Sequence, residues 1–219
     1  MEIVGVMSKL SLMHPEIKKH FAVATMASGF LLLITAFRWP FLANTLLSLL
    51  YIPLIATAWL LWAGAITFGV TCLSRYRTAG LYVFVPLAIS VFGMVLVKVV
   101  PFDEMWLKAD YSWYKNDRAE IVNKILRGEL KSNVSHNAKL IALGEHYPLV
   151  SKGGNEVVVE EHDGAKYVLF FTERGIFGYY EGFLYVPKEG DPIKYGDLSE
   201  KDRTEIQPLE VGWYYVLHR

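Results

Sequence analysis

The fold is decided by FAVATMASGFLLLITAFRWPFLANTLLSLLYIPLIATAWLLWAGAITFGVTCLSRYRTAGLYVFVPLAISVFGMVLV, residues Phe21 to Val97. Among these 77 residues only Arg38, Arg75 and Arg77 carry charge, and they leave apolar runs of 17, 36 and 20 residues. A helix crossing a bilayer core of about 30 Å needs roughly 20 such residues. The first expectation is a membrane α-helical N-terminal half. Three transmembrane helices are placed at about 21–37, 54–73 and 79–97, with the lipid bilayer as their partner.

The middle run, 39–74, is too long for one crossing, since its length at helical rise is about 54 Å. Pro53 offers a division. The piece before it, 41–52, carries Asn44, Thr45 and Ser48 on one helical face. It reads as an interfacial or re-entrant segment, or as a kinked extension of the span that follows. Pro86 is expected to kink the third span. Ala22, Ala24, Ala27, Ser28 and Gly29 give the first span a small-residue surface suited to close helix packing. Arg38, Trp39, Arg75 and Arg77 mark membrane interfaces, where cations snorkel and an indole finds both an apolar and a wet side.

Lysine and arginine near the spans set the orientation. Lys9, Lys18, Lys19, Arg75 and Arg77 fall on one side, Arg38, Lys98 and Lys108 on the other. The bias puts the N-terminal segment, 1–20, in the cytoplasm and the C-terminal domain outside it. In a bacterium this is a multi-pass inner-membrane protein with a periplasmic domain. The spans as drawn hold no ionisable side chain, which argues against a pump or secondary transporter.

The zero net charge is a cancellation. Up to residue 100 the chain has seven Lys/Arg against Glu2 and Glu16, so the remainder carries an excess of acid. That acidic part is long enough for a core of its own. It lacks a basic face to neutralise phosphates, so no nucleic-acid partner is expected. The single cysteine, Cys72, excludes an intrachain disulfide and a multi-cysteine metal site.

Phe102, Trp106, Tyr111, Trp113 and Tyr114 crowd the segment 101–116 directly after the third span. Such rings read as an aromatic belt, with Trp106 and Trp113 as interface residues. The domain proper is taken as 117–219. Asp117 with Glu120 suggests a helix start and Gly128 its stop. A second short helix is expected over 137–143. Asp163-Gly164 between β-prone runs is a strong hairpin signal. Further strands are expected over 179–186 and 211–217, with turns at 174–178 and 188–192 and a charged loop around 199–203. The fold class is thus an α-helical membrane half plus an α+β soluble domain with an antiparallel β-meander of four or five strands.

No constellation in this domain has the spacing that chemistry requires. His136 and His146 are ten residues apart with only Glu145 alongside. Glu160, Glu161, His162 and Asp163 sit at a hairpin tip, where solvated charge is the default. Gly175, Gly178 and Gly182 lack the strand-to-helix context of a phosphate loop, and no Gly-x-Ser-x-Gly elbow occurs. No catalytic residue, metal site or cofactor is expected. Ring density is the unusual feature, with eight Tyr and Phe between Tyr167 and Tyr185. Tyr and Trp with a polar handle are common at interface cores. The candidate partner-binding residues are therefore Glu160, Glu161, Tyr179, Tyr180, Tyr185 and Trp213.

The stretch YVLFFTERGIFGYYEGFLYVP, Tyr167 to Pro187, with the tail VGWYYVLHR, resembles bacterial inner-membrane proteins found in toxin and immunity neighbourhoods. Three spans followed by a small outward domain also resembles the layout of immunity proteins for toxins acting at the inner membrane. The resemblance implies a non-enzymatic membrane protein whose domain binds a protein partner, neutralising a secreted antibacterial toxin. It contains no functional motif, so it implies no site residues. The alternative is an accessory or sensor subunit of a membrane transport or envelope complex.

Overall fold

The computed structural model describes residues 15–42, 45–174, 179–188, 190–195 and 204–218. The chain forms two compact units. Among the described residues, one is helical and comprises 15–41 and 46–105; the other comprises those from 106 to 218 together with 42 and 45.

The helical unit contains α1 (Pro15–Ala36), α2 (Arg38–Leu42) and α3 (Thr45–Cys72). A 3-10 turn (Leu73–Arg75), α4 (Tyr76–Ala79) and a second 3-10 turn (Gly80–Phe84) lead into α5 (Val85–Val99). Three stretches are long and apolar enough to cross a membrane: Ile17–Ala36, Leu49–Arg75 and Gly80–Val99. Two clusters fix how they run. At one end Ile17 packs with Cys72, Leu73 and Val83. At the other, Leu31 and Ile34 pack with Tyr51, Leu54, Ala58 and Val97. So α1 and α5 run parallel, with α3 antiparallel to both, and the chain traverses the unit three times.

Small residues bring α1 and α5 together. A Cβ placed on Gly93 would lie 2.8 Å from the Ser28 Cβ. Ala24, Ala27 and Ser90 are buried near this contact level in their helices. Small residues at such positions allow the close backbone approach typical of helix pairs in lipid. Trp62 Nε1 adds a 3.1 Å hydrogen bond to the Ser90 carbonyl.

Two expectations change here, while residues 45–52 take the form of an extension of the helix that follows, one of the readings offered for them, because α3 runs unbroken through Pro53. Its 28 residues rise about 42 Å, more than the roughly 30 Å of a bilayer core. Pro86 sits at the start of α5, where a missing N–H costs nothing, and does not kink a helix interior. Finally, α1 begins earlier than 21 and takes in Lys18, Lys19 and His20. His20 is buried, stacked on Phe68 with centroids 3.8 Å apart, and its Nε2 lies 3.4 Å from Thr71 Oγ1. The span therefore does contain an ionisable side chain.

The second unit follows α6 (Phe102–Leu126) and is a six-stranded antiparallel sheet. Its strands are β1 (Leu140–Ala142), β2 (Glu156–His162), β3 (Ala165–Arg174), β4 (Tyr180–Tyr185), β5 (Thr204–Glu210) and β6 (Trp213–His218). The order is β1-β2-β3-β4-β6-β5, so the meander ends in a hairpin whose second strand lies inside its first. Asp163 and Gly164, at φ 53° and 77°, make the expected tight turn between β2 and β3. Both residues take positive φ, as the right-handed strand twist asks of a two-residue loop.

Two helix assignments are corrected. The helix expected from Asp117 begins at Phe102, with Asp103 and Glu104 in its first turn, where carboxylates favour the helix dipole. Gly128 does stop it, at φ 76°, its N–H donating to the Ile125 carbonyl. The helix expected over 137–143 is instead strand β1. Leu140 and Ile141 are both buried, and the Asn133 side chain completes the strand's outer edge. Asn133 Nδ2 donates to the Ala142 carbonyl at 2.9 Å and Oδ1 accepts from the Ala142 N–H at 2.8 Å. The β5 strand was not expected at all. The turn at 175–178 and the loop at 196–203 lie outside the described residues.

Strand β3 is buried on both faces, from Tyr167 through Thr172. One face packs Tyr167, Leu169, Phe171, Leu184 and Val216 with Tyr195. On the other, Tyr111 of α6 meets Phe183 at 5.3 Å and Trp213 at 5.9 Å, and Ile121 and Ile125 are buried. Each large side chain taken from water contributes about 1.5–3 kcal/mol. Among the described residues, Tyr167, Phe170, Phe171, Phe183 and Trp213 are core, while Tyr179, Tyr180 and Tyr185 are half-buried. Tyr111 packs against that core as well, so the aromatic segment 101–116 is divided between core and surface.

Candidate functional site

The strongest surface feature of the sheet unit is a groove on the β2–β3 hairpin. Strand geometry sends successive residues to opposite faces, so Glu160 and Glu161 separate. Glu160 turns toward Tyr167, its cross-strand neighbour, and its side chain is only 10% exposed. Its carboxylate accepts from Lys139 Nζ at 2.6 Å and lies 3.3 Å from His162 Nε2. Glu161 stays exposed, opposite Lys166.

Glu161 lines a cavity of about 370 Å³ between the end of α6 and strands β1 to β3. Ile125, Ile141 and Val159 form its apolar floor, and Lys131, Lys139 and Lys166 stand around it with Glu161. Lys166 Nζ also donates to the Ile125 carbonyl at 3.3 Å, next to the helix C-terminus that favours a cation. An apolar floor with a cationic rim suits an apolar side chain flanked by carboxylates. At the hairpin tip, the Lys194 ammonium donates to Asp163 at 2.8 Å and holds that carboxyl below its ordinary range.

The other sequence-nominated rings lie apart from this groove. Tyr179 and Tyr215 both donate to the two carboxylate oxygens of Glu181. Burial, then this carboxylate, pushes the Tyr215 phenol up. Tyr180 stacks on His218 at 5.1 Å and meets Phe171 at 6.2 Å. Tyr185 meets Trp213 at 5.5 Å. Trp213 is 6% exposed and also packs on Phe170. Of the six nominated residues, the groove contains only Glu161. Lys131, Lys139 and Lys166 were missed, and the sole sequence signal for them was the hairpin that fixes Lys166 opposite Glu161.

A buried charge network holds α6 to the sheet. Arg118, 1% exposed, donates through Nε to the Val150 carbonyl at 3.1 Å and through Nη1 to the Asp110 carbonyl at 3.2 Å. Nη2 donates to the Asp110 carboxylate, and Lys152 Nζ lies 3.6 Å from the second oxygen. The guanidinium also sits 4.3 Å over the Phe183 ring. Burial pulls the Arg118 pKa down, and Asp110 opposes that pull. At the edge of the sheet, Glu210 accepts from Lys115 at 2.5 Å and Tyr111 at 2.6 Å, which holds its carboxyl below the usual range.

His136 and His146 are both exposed, and His146 borders a shallow cavity with Asp117, Glu120 and Lys124. Among the described residues no group of three or more His, Cys, Asp and Glu is placed to hold a metal ion. In the helical unit, Arg38 donates to Asp103 at 3.1 Å, while Arg75 and Arg77 are exposed at the opposite end. Trp106 and Trp113 meet edge-on at 6.1 Å, and Trp113 is 65% exposed. No protein-family model, curated protein or solved structure matches the chain.

Proposed function

We propose that this chain is a membrane-anchored binding protein whose sheet unit takes a protein partner in the groove beside the β2–β3 hairpin. The observation that carries the reading is the groove itself: an open cavity of about 370 Å³ with an apolar floor and a rim of three lysines and Glu161, Lys139 also pairing with Glu160, within an otherwise acidic unit. Such a site selects a partner segment that presents an apolar side chain between carboxylates. The apolar floor provides affinity, and the charges provide specificity and encounter rate.

The setting proposed is the bacterial inner membrane, with the N-terminus in the cytoplasm and the sheet unit in the periplasm. Two observations support it. The chain traverses the helical unit an odd number of times, and Lys18, Lys19, Arg75 and Arg77 gather at the end opposite Arg38 and Asp103. In that setting the partner is a secreted antibacterial toxin, and the chain acts as its immunity protein. The layout of spans before a binding domain supports this reading over a catalytic one.

The test is protection. Cells lacking the gene are grown against siblings that secrete each neighbouring toxin, then complemented with the native chain or with Lys139→Glu/Lys166→Glu. The expected result is killing without the gene, rescue by the native chain, and no rescue by the variant at equal membrane level. Survival of the gene-less cells against every toxin refutes the immunity role. Full rescue by the variant refutes the groove.

A further inference from the structure

We infer that the helical unit carries a headgroup site for a phospholipid bearing both a phosphate and a primary ammonium, the ethanolamine class. The site is a cavity of about 330 Å³ where α1 and α5 end, built by Arg38, Val97, Val100, Phe102, Asp103 and Glu104. Its depth is set by the chain. Two of the three apolar stretches finish here, at Ala36 and Val99, so the cavity stands where acyl chains give way to headgroups. Val97, Val100 and Phe102 form its apolar side, continuous with Leu33, Val95 and Val99, which are 56%, 47% and 71% exposed on the same two helices.

The charges select the headgroup. Arg38 and Asp103 pair through one nitrogen and one oxygen at 3.1 Å, yet each side chain remains about half exposed, 50% and 51%. The guanidinium fork has five N–H donors, and its planar geometry suits a phosphate. Asp103 and Glu104 beside it are carboxylates that accept from an ammonium. One cation with two carboxylates repels a purely anionic headgroup. A choline headgroup carries its charge without an N–H to donate. A phosphate two carbons from a primary ammonium meets both demands, its phosphate on Arg38 and its ammonium on Asp103 and Glu104.

The test uses the full chain in mild detergent, titrated by native mass spectrometry with phosphatidylethanolamine, phosphatidylcholine or phosphatidylglycerol of identical acyl chains. The expected result is retention of the ethanolamine lipid about tenfold above the other two, the ratio that one charge-assisted hydrogen bond supplies. Asp103→Asn should reduce it to the choline level and Arg38→Gln should lower retention of all three lipids, which share the phosphate, whereas Lys98→Gln at the same helix end should do neither. Circular dichroism at the same detergent concentration confirms that each variant is folded, and Arg38→Lys, which keeps the cation, should keep part of the retention that Arg38→Gln loses. Equal retention of the three lipids, preference for the glycerol lipid, a folded Asp103→Asn that still prefers ethanolamine, or a folded Arg38→Gln that retains the lipids as well as the native chain overturns the proposal. Glycerophosphoethanolamine without acyl chains should compete poorly; effective competition would reassign the site to a soluble phosphate ligand and overturn the lipid assignment.

Discussion

Replacing Arg118 by methionine is the sharpest test of how the sheet unit is held together. The guanidinium bridges the carbonyl and carboxylate of Asp110, the Val150 carbonyl and the Phe183 ring while almost fully buried. Met keeps much of the volume and removes the charge. Asp110 would then keep only Lys152, at 3.6 Å, as a countercharge within the network, and the Val150 carbonyl would lose a donor. Breaking a buried pair on one side costs about 3–5 kcal/mol. Against a total of about 5–15 kcal/mol for a domain, that is a large share of its stability. Removing both charges is the informative control, because Asp110→Asn/Arg118→Met leaves no uncompensated carboxylate behind. The double variant should therefore recover at least about 1 kcal/mol relative to Arg118→Met alone. The assay is urea unfolding of the full chain in detergent, read by hydrogen exchange at β3 and β4 amides so that the helical unit does not contribute. If Arg118→Met costs less than about 1 kcal/mol, or if the two substitutions simply add, the network is not what fixes α6 to the sheet.

Three further outcomes are expected. Gly93→Leu should separate α1 from α5, because even a Cβ there lies 2.8 Å from Ser28; a loss of about 1–3 kcal/mol is expected in a thermal melt in detergent, and an unchanged melt would refute the contact. Asn133→Ala should cost about 1–3 kcal/mol through the two lost bonds to Ala142, seen as faster exchange of the Ala142 amide, and unaltered exchange would show that the edge is held otherwise. Glu210, whose carboxyl is held low by Lys115 and Tyr111, contributes stability that is present above the ordinary carboxylate pKa of about 4.3 and is lost as pH falls through its lower folded value. Melts of the native chain and Glu210→Gln should therefore differ at pH 7 and converge in strong acid; a constant difference across that range would contradict the sign.

What the sequence made legible follows the range of the forces involved. The three apolar stretches, the Asp163-Gly164 turn and the Gly128 stop each depend on residues close in the chain, and each could be read there. Prolines misled because their effect depends on position within a helix. Pro86 sits harmlessly at the start of α5, and Pro53 is carried inside the unbroken helix α3. Strand β1 has a helix-like composition but is recruited by its pairing with Val157 and Val158 and by the side chain of Asn133. A β5 strand with Glu205, Pro208 and Glu210 reads as loop in isolation, and it exists because β6 offers it a partner. In each case tertiary context outweighs a weak local preference.

The candidate groove was illegible for the same reason, carried one level further. Lys131 follows the end of α6, Lys139 precedes β1, and Lys166 begins β3, so no window of sequence contains them together. They converge because β1 pairs antiparallel with β2 and β2 with β3, which sets Lys166 opposite Glu161 and brings the start of β1 beside Val159. The acidic total of this half averages away a local cationic rim. Aromatic density is a blunt guide here, since of the rings nominated for contact with another molecule Trp213 fills the core while Tyr179, Tyr180 and Tyr185 are half-buried. Binding specificity in such a unit is better sought in the few charges that the register gathers around exposed apolar floor than in its commonest large residues.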